Sequence, residues 1–222
     1  MLRLPNLLSA AVLAALFTYA ASASADTIID EWASVKAPPP PKLESVTVDP
    51  KTTALLVMDL IRQTCNNDRR PRCVASIPKV EKLLAAARAS GVTVIHALFP
   101  SPAPDKFPNP VVGDFLPAVA PKSGEPVFTS FVDKFILRDQ DTGLQKFLKD
   151  KGITTVITVG SASHNSVLFT SVDAALRGFK AIVAVDGMSG NNSYEDQAAA
   201  YILATSIAYR VTLTTTDMIK FQ

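Results

Sequence analysis

The stretch Gly160-Ser161-Ala162-Ser163-His164-Asn165-Ser166-Val167 joins an apolar run to a segment of helical spacing, and it puts a hydroxyl where the helix begins. A helix N-terminus presents unpaired backbone N–H groups and a partial positive charge, so an oxyanion developing there meets donors already in place. Ser163 therefore has two readings: it lines such a site, or it N-caps a helix beginning near Asn165. Asp59 and Asp186 also follow apolar runs directly. Burial in that position raises a carboxyl pKa and fits the group for general acid or base work; the same group can instead cap a helix or form a turn. Apolar Leu60 and Ile61 continue after Asp59, which favours the acid–base role there, whereas Gly187 after Asp186 favours a turn.

The elements that must carry these residues alternate along the chain. Short, continuous apolar runs at 54–58, 92–98, 127–132, 153–159, 180–185 and 211–214 read as strands buried on both faces. Segments 79–90, 144–151, 165–177 and 195–209 read as helices, three of them followed by a glycine and then a strand. Strands separated by helices of this length imply right-handed crossovers and a three-layer α/β/α sandwich with a mainly parallel, Rossmann-like sheet. Ligands bind at the carboxyl ends of such strands, where Asp59, Gly160 and Asp186 fall.

The chain of 222 residues is 48% hydrophobic and 19% charged with a net charge of +2, and beyond one local arginine cluster it carries neither a nucleic-acid footprint nor a polybasic membrane patch. Arg3, an apolar run at 7–21 and Ala23-Ser24-Ala25 form a signal peptide over residues 1–25, with cleavage expected before Asp26. The product is exported to a periplasmic or extracellular space, with no stable membrane insertion after cleavage. Residues 26–50, with Trp32 and four prolines at 38–41, read as an extended arm, and 51–222 as one domain. In an oxidising compartment Cys65 and Cys73 are expected to close the polar loop between them as a disulfide.

The ordered set Leu55-Leu56-Val57-Met58-Asp59, Asp133-Lys134-Phe135, Thr142-Gly143-Leu144, Val156-Ile157-Thr158-Val159-Gly160, Ser166-Val167, Ala174-Ala175-Leu176-Arg177-Gly178-Phe179 and Val185-Asp186-Gly187-Met188 resembles the isochorismatase-like, or cysteine hydrolase, superfamily. The resemblance covers the chain from residue 51 onward. It implies a six-stranded parallel sheet and a site of Asp, Lys and Cys, in which the Asp deprotonates the Cys and backbone N–H groups beside a cis peptide hold the oxyanion. Asp59 matches the Asp, the cis peptide falls at Ala162-Ser163, and Ser166 occupies the Cys position. The chain looks closest to a divergent branch that lacks the Cys and carries a His in this turn.

Those departures leave alternatives open. A serine is less acidic than a thiol and is commonly activated by an imidazole, which His164 can supply unless it only bonds the turn backbone. Lys134 matches the family Lys when counted from the strand; anchoring on Phe135 moves that position to Thr129 or Ser130. Three functions fit: Ser166 as nucleophile of an ester or amide hydrolase, Asp59 as general acid on a vinyl ether, or a binding module without chemistry. Arg69, Arg70 and Arg72 either hold a carboxylate substrate or are solvated surface. His96 reads as a packed, hydrogen-bonded histidine, with pocket lining as the alternative. Only His96 and His164 are present, so the metal-binding histidine pair of the nicotinamidase branch is missing, and no metal or cofactor is expected. Residues 100–126 are expected to line the pocket, with Phe107 and Phe115 contacting a ligand or packing. The expected partner is a small-molecule substrate; homo-oligomers are common in the superfamily.

Overall fold

A computed structural model describes residues 27–222, which divide into two compact units after Pro39. The signal peptide read at 1–25 lies outside the described residues. In the first unit a single helical turn, α1 (Ile28–Glu31), is closed at its start by Thr27 and Asp30. The second unit opens with β1 (Val46–Val48), β2 (Thr53–Met58), α2 (Pro71–Ala89), β3 (Thr93–Leu98) and β4 (Val127–Thr129). The hairpin β5 (Ile136–Leu137) and β6 (Gln140–Asp141) follows, then α3 (Leu144–Asp150), β7 (Thr155–Ser161), α4 (Leu168–Leu176), β8 (Lys180–Ser189), α5 (Ser193–Thr205), β9 (Val211–Thr214) and β10 (Ile219–Phe221).

Six strands form one all-parallel sheet in the order β4-β3-β2-β7-β8-β9. Every residue of β2 and β7 is buried, and the period of two sends alternate side chains to opposite faces. Leu55 and Val57 join a core with Val80, Leu84 and Ile157 beneath α2. Leu56 and Met58 join another with Leu144, Leu148, Val167, Ala174 and Leu203 beneath α3, α4 and α5. The chain runs from β2 out to the β4 edge and returns to β7 on the other side of β2. That reversal opens a crevice between the carboxyl ends of β2 and β7.

Several boundaries differ from expectation. Residues 46–48, read as part of the arm at 26–50, pair in parallel with β10 and belong to the domain, since their Val46 and Val48 have core to cover. The helix read as 79–90 begins at Pro71 and passes through Pro78; a proline suits the first helical position, and the bridge at Cys73 ties that turn to Cys65. The strand read as 180–185 continues to Ser189 through Asp186 and Gly187, with its register on β7 shifting between Thr158 and Gly160. No turn forms at Asp186, whose carboxylate accepts from Thr216 N (2.8 Å) and Oγ1 (3.1 Å) and pairs with Lys79 at 3.3 Å.

Candidate active site

Asp59 is the first residue past β2 and takes a left-handed backbone (φ 58°), its N–H donating to Ala97 O on the neighbouring strand. This turns the carboxylate out of the sheet into the crevice, where its side chain is 4% exposed. Lys134 lies in the loop between β4 and β5, fully buried, with its N–H on Thr170 Oγ1 and its C=O receiving Thr142 Oγ1. Its Nζ stands 3.0 Å from Asp59 Oδ1 and 2.8 Å from Oδ2. Ser166 Oγ donates to Asp59 Oδ2 at 2.6 Å. Asp59, Lys134 and Ser166 thus meet in one buried cluster. Of the positions offered for the lysine, Lys134 is the one that reaches Asp59; Thr129 is exposed and Ser130 contributes a backbone carbonyl to Lys134.

Burial pushes the Asp59 carboxyl above its usual range, against the opposing pull of the Lys134 charge and of the hydrogen bonds from Lys134 and Ser166. Burial also lowers the Lys134 pKa, with Asp59 opposing. Around Nζ, Asp59, Ser130 O (2.9 Å) and Phe131 O (3.1 Å) offer three acceptors, as many as the three N–H bonds of an ammonium can use. In that form Lys134 holds the Asp59 carboxylate in place.

Ser166 reaches Asp59 because β7 ends against β2. Gly160 (φ 135°) pairs with Met58, and a Cβ there would lie 2.1 Å from Met58 O, so only glycine permits the approach. The cis peptide bond is Ser161–Ala162, directly where β7 ends and one residue before the expected Ala162–Ser163. Ser163 does not N-cap: Ser163–Val167 is a wide π-helical turn whose preceding residue, Ala162, accepts at its C=O from Asn165 and Val167 N–H. The Ser163 hydroxyl is buried without a partner.

His164 is not joined to Ser166 by a hydrogen bond. Its Nδ1 lies 2.9 Å from Glu195 Oε2, off line for a hydrogen bond, and its Nε2 faces Asn165 Nδ2 at 3.3 Å. Neighbours on a turn diverge, and the acidic start of α5 draws the ring away from the serine. Arg70 had solvated surface as one of its two readings and instead reaches the strand ends, with Nη1 donating to Ser161 Oγ at 2.7 Å and Nε and Nη2 to Asn191 Oδ1. Arg69 is exposed, and Arg72 pairs with Asp196 at 2.6 Å. Ser161, Asn191 and Glu195 were missed; an asparagine and a glutamate just past an apolar strand were the available signal.

His96 is fully buried, its Nε2 3.0 Å from Glu125 Oε2 and its ring edge-on to Phe115. Of the two crossover aromatics, Phe115 packs with Ile61 and Leu98 while Phe107 is exposed. Cys65 and Cys73 are bonded, with Cα atoms 5.3 Å apart. Among the described residues no three metal-ligating side chains cluster, and no helix is long and apolar enough to cross a membrane.

The six-stranded all-parallel sheet is the fold that the resemblance implies, and the profile of the isochorismatase domain matches residues 53–217. The chain belongs to the isochorismatase family. Among its relatives is a protein of Verticillium dahliae named "Secreted isochorismatase effector Isc1", 29% identical over 136 residues, 60% of this chain and 70% of that one. Another, from Pseudomonas putida, is named "Maleamate amidohydrolase" and is 28% identical over 146 residues, 58% of this chain and 66% of that one. Among solved structures, a cysteine hydrolase from Pseudomonas syringae pv. phaseolicola superposes with a TM-score of 0.67 at 20% identity, covering 82% of this chain and 95% of its own. An isochorismatase-like hydrolase from Alkaliphilus metalliredigens gives 0.64 at 22%, covering 75% and 95%. At these identities the two structures speak for the fold alone.

Proposed function

We propose that the chain is an exported hydrolase of a small-molecule ester or amide, with Ser166 as nucleophile, Asp59 as the proton-transfer group and Lys134 as the cation that positions Asp59. The observation that carries this reading is the 2.6 Å hydrogen bond from Ser166 Oγ to Asp59 Oδ2. A carboxylate of ordinary pKa is a poor base for a hydroxyl; burial strengthens this one, and its lysine keeps it in line. Asp59 takes the Ser166 proton as Oγ bonds to the substrate carbonyl carbon. The oxyanion is held by N–H groups of the Ala162–Ser166 turn, the ones a helix start leaves without internal partners. Protonated Asp59 then gives its proton to the leaving amine or alkoxide, and an acyl group stays on Ser166. Water, deprotonated by Asp59, attacks the acyl carbon, and the proton returns to Ser166 as the acid departs. Ser166, Asp59 and Lys134 supply nucleophile, base and cation without a metal. Export is supported by the Cys65–Cys73 bridge and by the relative named as secreted.

The relative named an isochorismatase favours a second reading, in which Asp59 protonates a vinyl ether as a general acid and Ser166 only orients it. The two readings separate in one experiment. Residues 26–222, with Ser166→Ala and Asp59→Asn variants, are assayed on a panel of amides, esters and isochorismate. Loss of turnover in both variants, with an acyl adduct on Ser166 by mass spectrometry, is expected. Loss in Asp59→Asn alone assigns general-acid chemistry, and turnover unchanged in both overturns the site.

A further inference from the structure

Arginines near the site differ in what they hold. Arg72 is paired with Asp196, Arg62 with Asp114 and Arg88 with Glu125. Arg70 meets only neutral acceptors, Ser161 Oγ and Asn191 Oδ1, and among the described residues no carboxylate lies within ion-pair distance of it. Glu195 and Asp196 are close enough to act on its charge but are committed elsewhere. Glu195 accepts from Asn191 N and lies against His164, and Asp196 accepts from Arg72 and Gly190 N. Burial works against the guanidinium charge, so an anion that joined it would recover lost solvation.

The donors already in use leave two of the five guanidinium N–H bonds, one on each terminal nitrogen, available to the oxygens of an anion. Ser161 and Ser189 are register partners on adjacent parallel strands, so their side chains share a face. Ser189 is 1% exposed and its hydroxyl has no partner. The same guanidinium acts on the charge of Asp59. Ser161, which Arg70 holds, ends β7 directly before the turn that carries Ser166, so the cradle lies at the same strand end as the reacting group.

Resting on the hydrolase reading above, we infer that Arg70, with the hydroxyls of Ser161 and Ser189, selects the substrate by taking a carboxylate on the molecule whose ester or amide bond reaches Ser166. The two oxygens of that carboxylate face the free guanidinium N–H bonds, and Ser189 donates to one of them. Neutral esters and amides of similar size lack this contact.

The test is binding to the Ser166→Ala protein, measured by calorimetry with acetate, succinate and benzoate, each against its uncharged amide. At least one acid should bind about tenfold or more tightly than its amide, as charge-assisted pairing implies. Arg70→Gln should erase that preference. Arg70→Lys keeps charge and bulk, serves if the first variant does not fold, and should lose a substantial part of the preference with the fork. Acids that bind no better than their amides, or a preference that survives both substitutions, overturn the cradle. The measurement needs no turnover, so failure of the hydrolase reading leaves it intact; hydrolysis of neutral esters by the unsubstituted protein tests that reading separately.

Discussion

Two clusters in this protein, one buried around Asp59 and one partly buried around Glu125, use the same parts, a carboxylate, a cation and a third polar side chain, yet shift the carboxylate in opposite directions. At Glu125 burial pushes the pKa up, but the Arg88 guanidinium donates twice at 2.8 Å, Lys122 N–H donates at 2.9 Å and His96 Nε2 lies at 3.0 Å. Together they bring it down to about 2. At Asp59 burial prevails, because its cation is shared with two backbone carbonyls and its other donor is a hydroxyl. Glu125 is saturated with donors and its charge is fixed, as a structural pair requires. Asp59 keeps an appetite for a proton, as an acid–base group requires.

The largest effect separates the two clusters by activity. Asp59→Asn should lower kcat by about a thousandfold or more, since the proton-transfer group is lost. Glu125→Gln should leave kcat within about threefold in the same assay; a comparable loss there would erase the functional contrast. Next in size is stability. Lys134→Met leaves a buried carboxylate without its cation and should cost about 3–5 kcal/mol in urea unfolding at neutral pH. That deficit should shrink on acidification, because protonated Asp59 no longer needs the charge. A deficit that does not change with pH would mean that packing, and not charge, is what Lys134 contributes.

The sequence carried one cluster better than the other. Asp59 was legible because β2 is a continuous apolar run ended by a single carboxylate, and because strand ends in a parallel sheet are where side chains face ligand. Lys134 was legible only with two alternatives, since after β4 the chain leaves the sheet in an irregular loop whose spacing has no period. Arg70 was one of three arginines in one stretch, and its contact with Asn191 spans 121 residues, a distance across which local pattern says nothing. The cis bond lies where β7 stops, and β7 runs on to Ser161 because β8 continues past Asp186 and pairs with it there. His164 pointed away because of Glu195, a partner on another helix. What failed to show in the sequence was side-chain direction at turns.

Smaller than the lysine effect is that of the disulfide. It ties the start of α2 to Cys65, immediately beside Arg70, and reducing it should cost about 2–3 kcal/mol on the chain-entropy account. A melting temperature unchanged by reductant would show that the helix start is held by packing alone.

The smallest effect is a difference in slope, and it sets the two carboxylates directly against each other. Glu125 has a lowered folded pKa, so its contribution to stability is complete above about 4.5 and is lost as pH falls toward about 2. Removing it in Glu125→Gln should flatten the acid limb of stability against pH, by about 1 kcal/mol after solvent screening. Asp59 has a raised folded pKa, so the native state gains relative stability as pH falls through that value. Removing it in Asp59→Asn should steepen the same limb. His96 adds to the acid loss in both proteins. Burial lowers its pKa, and its Nδ1 has no acceptor for a second proton, so its neutral form favours the fold above about 6.5 and the advantage drains away below. The same substitution chemistry, acid to amide, is thus expected to bend one curve in two directions. Slopes that move the same way would show that the donors around the two carboxylates do not set their proton affinities.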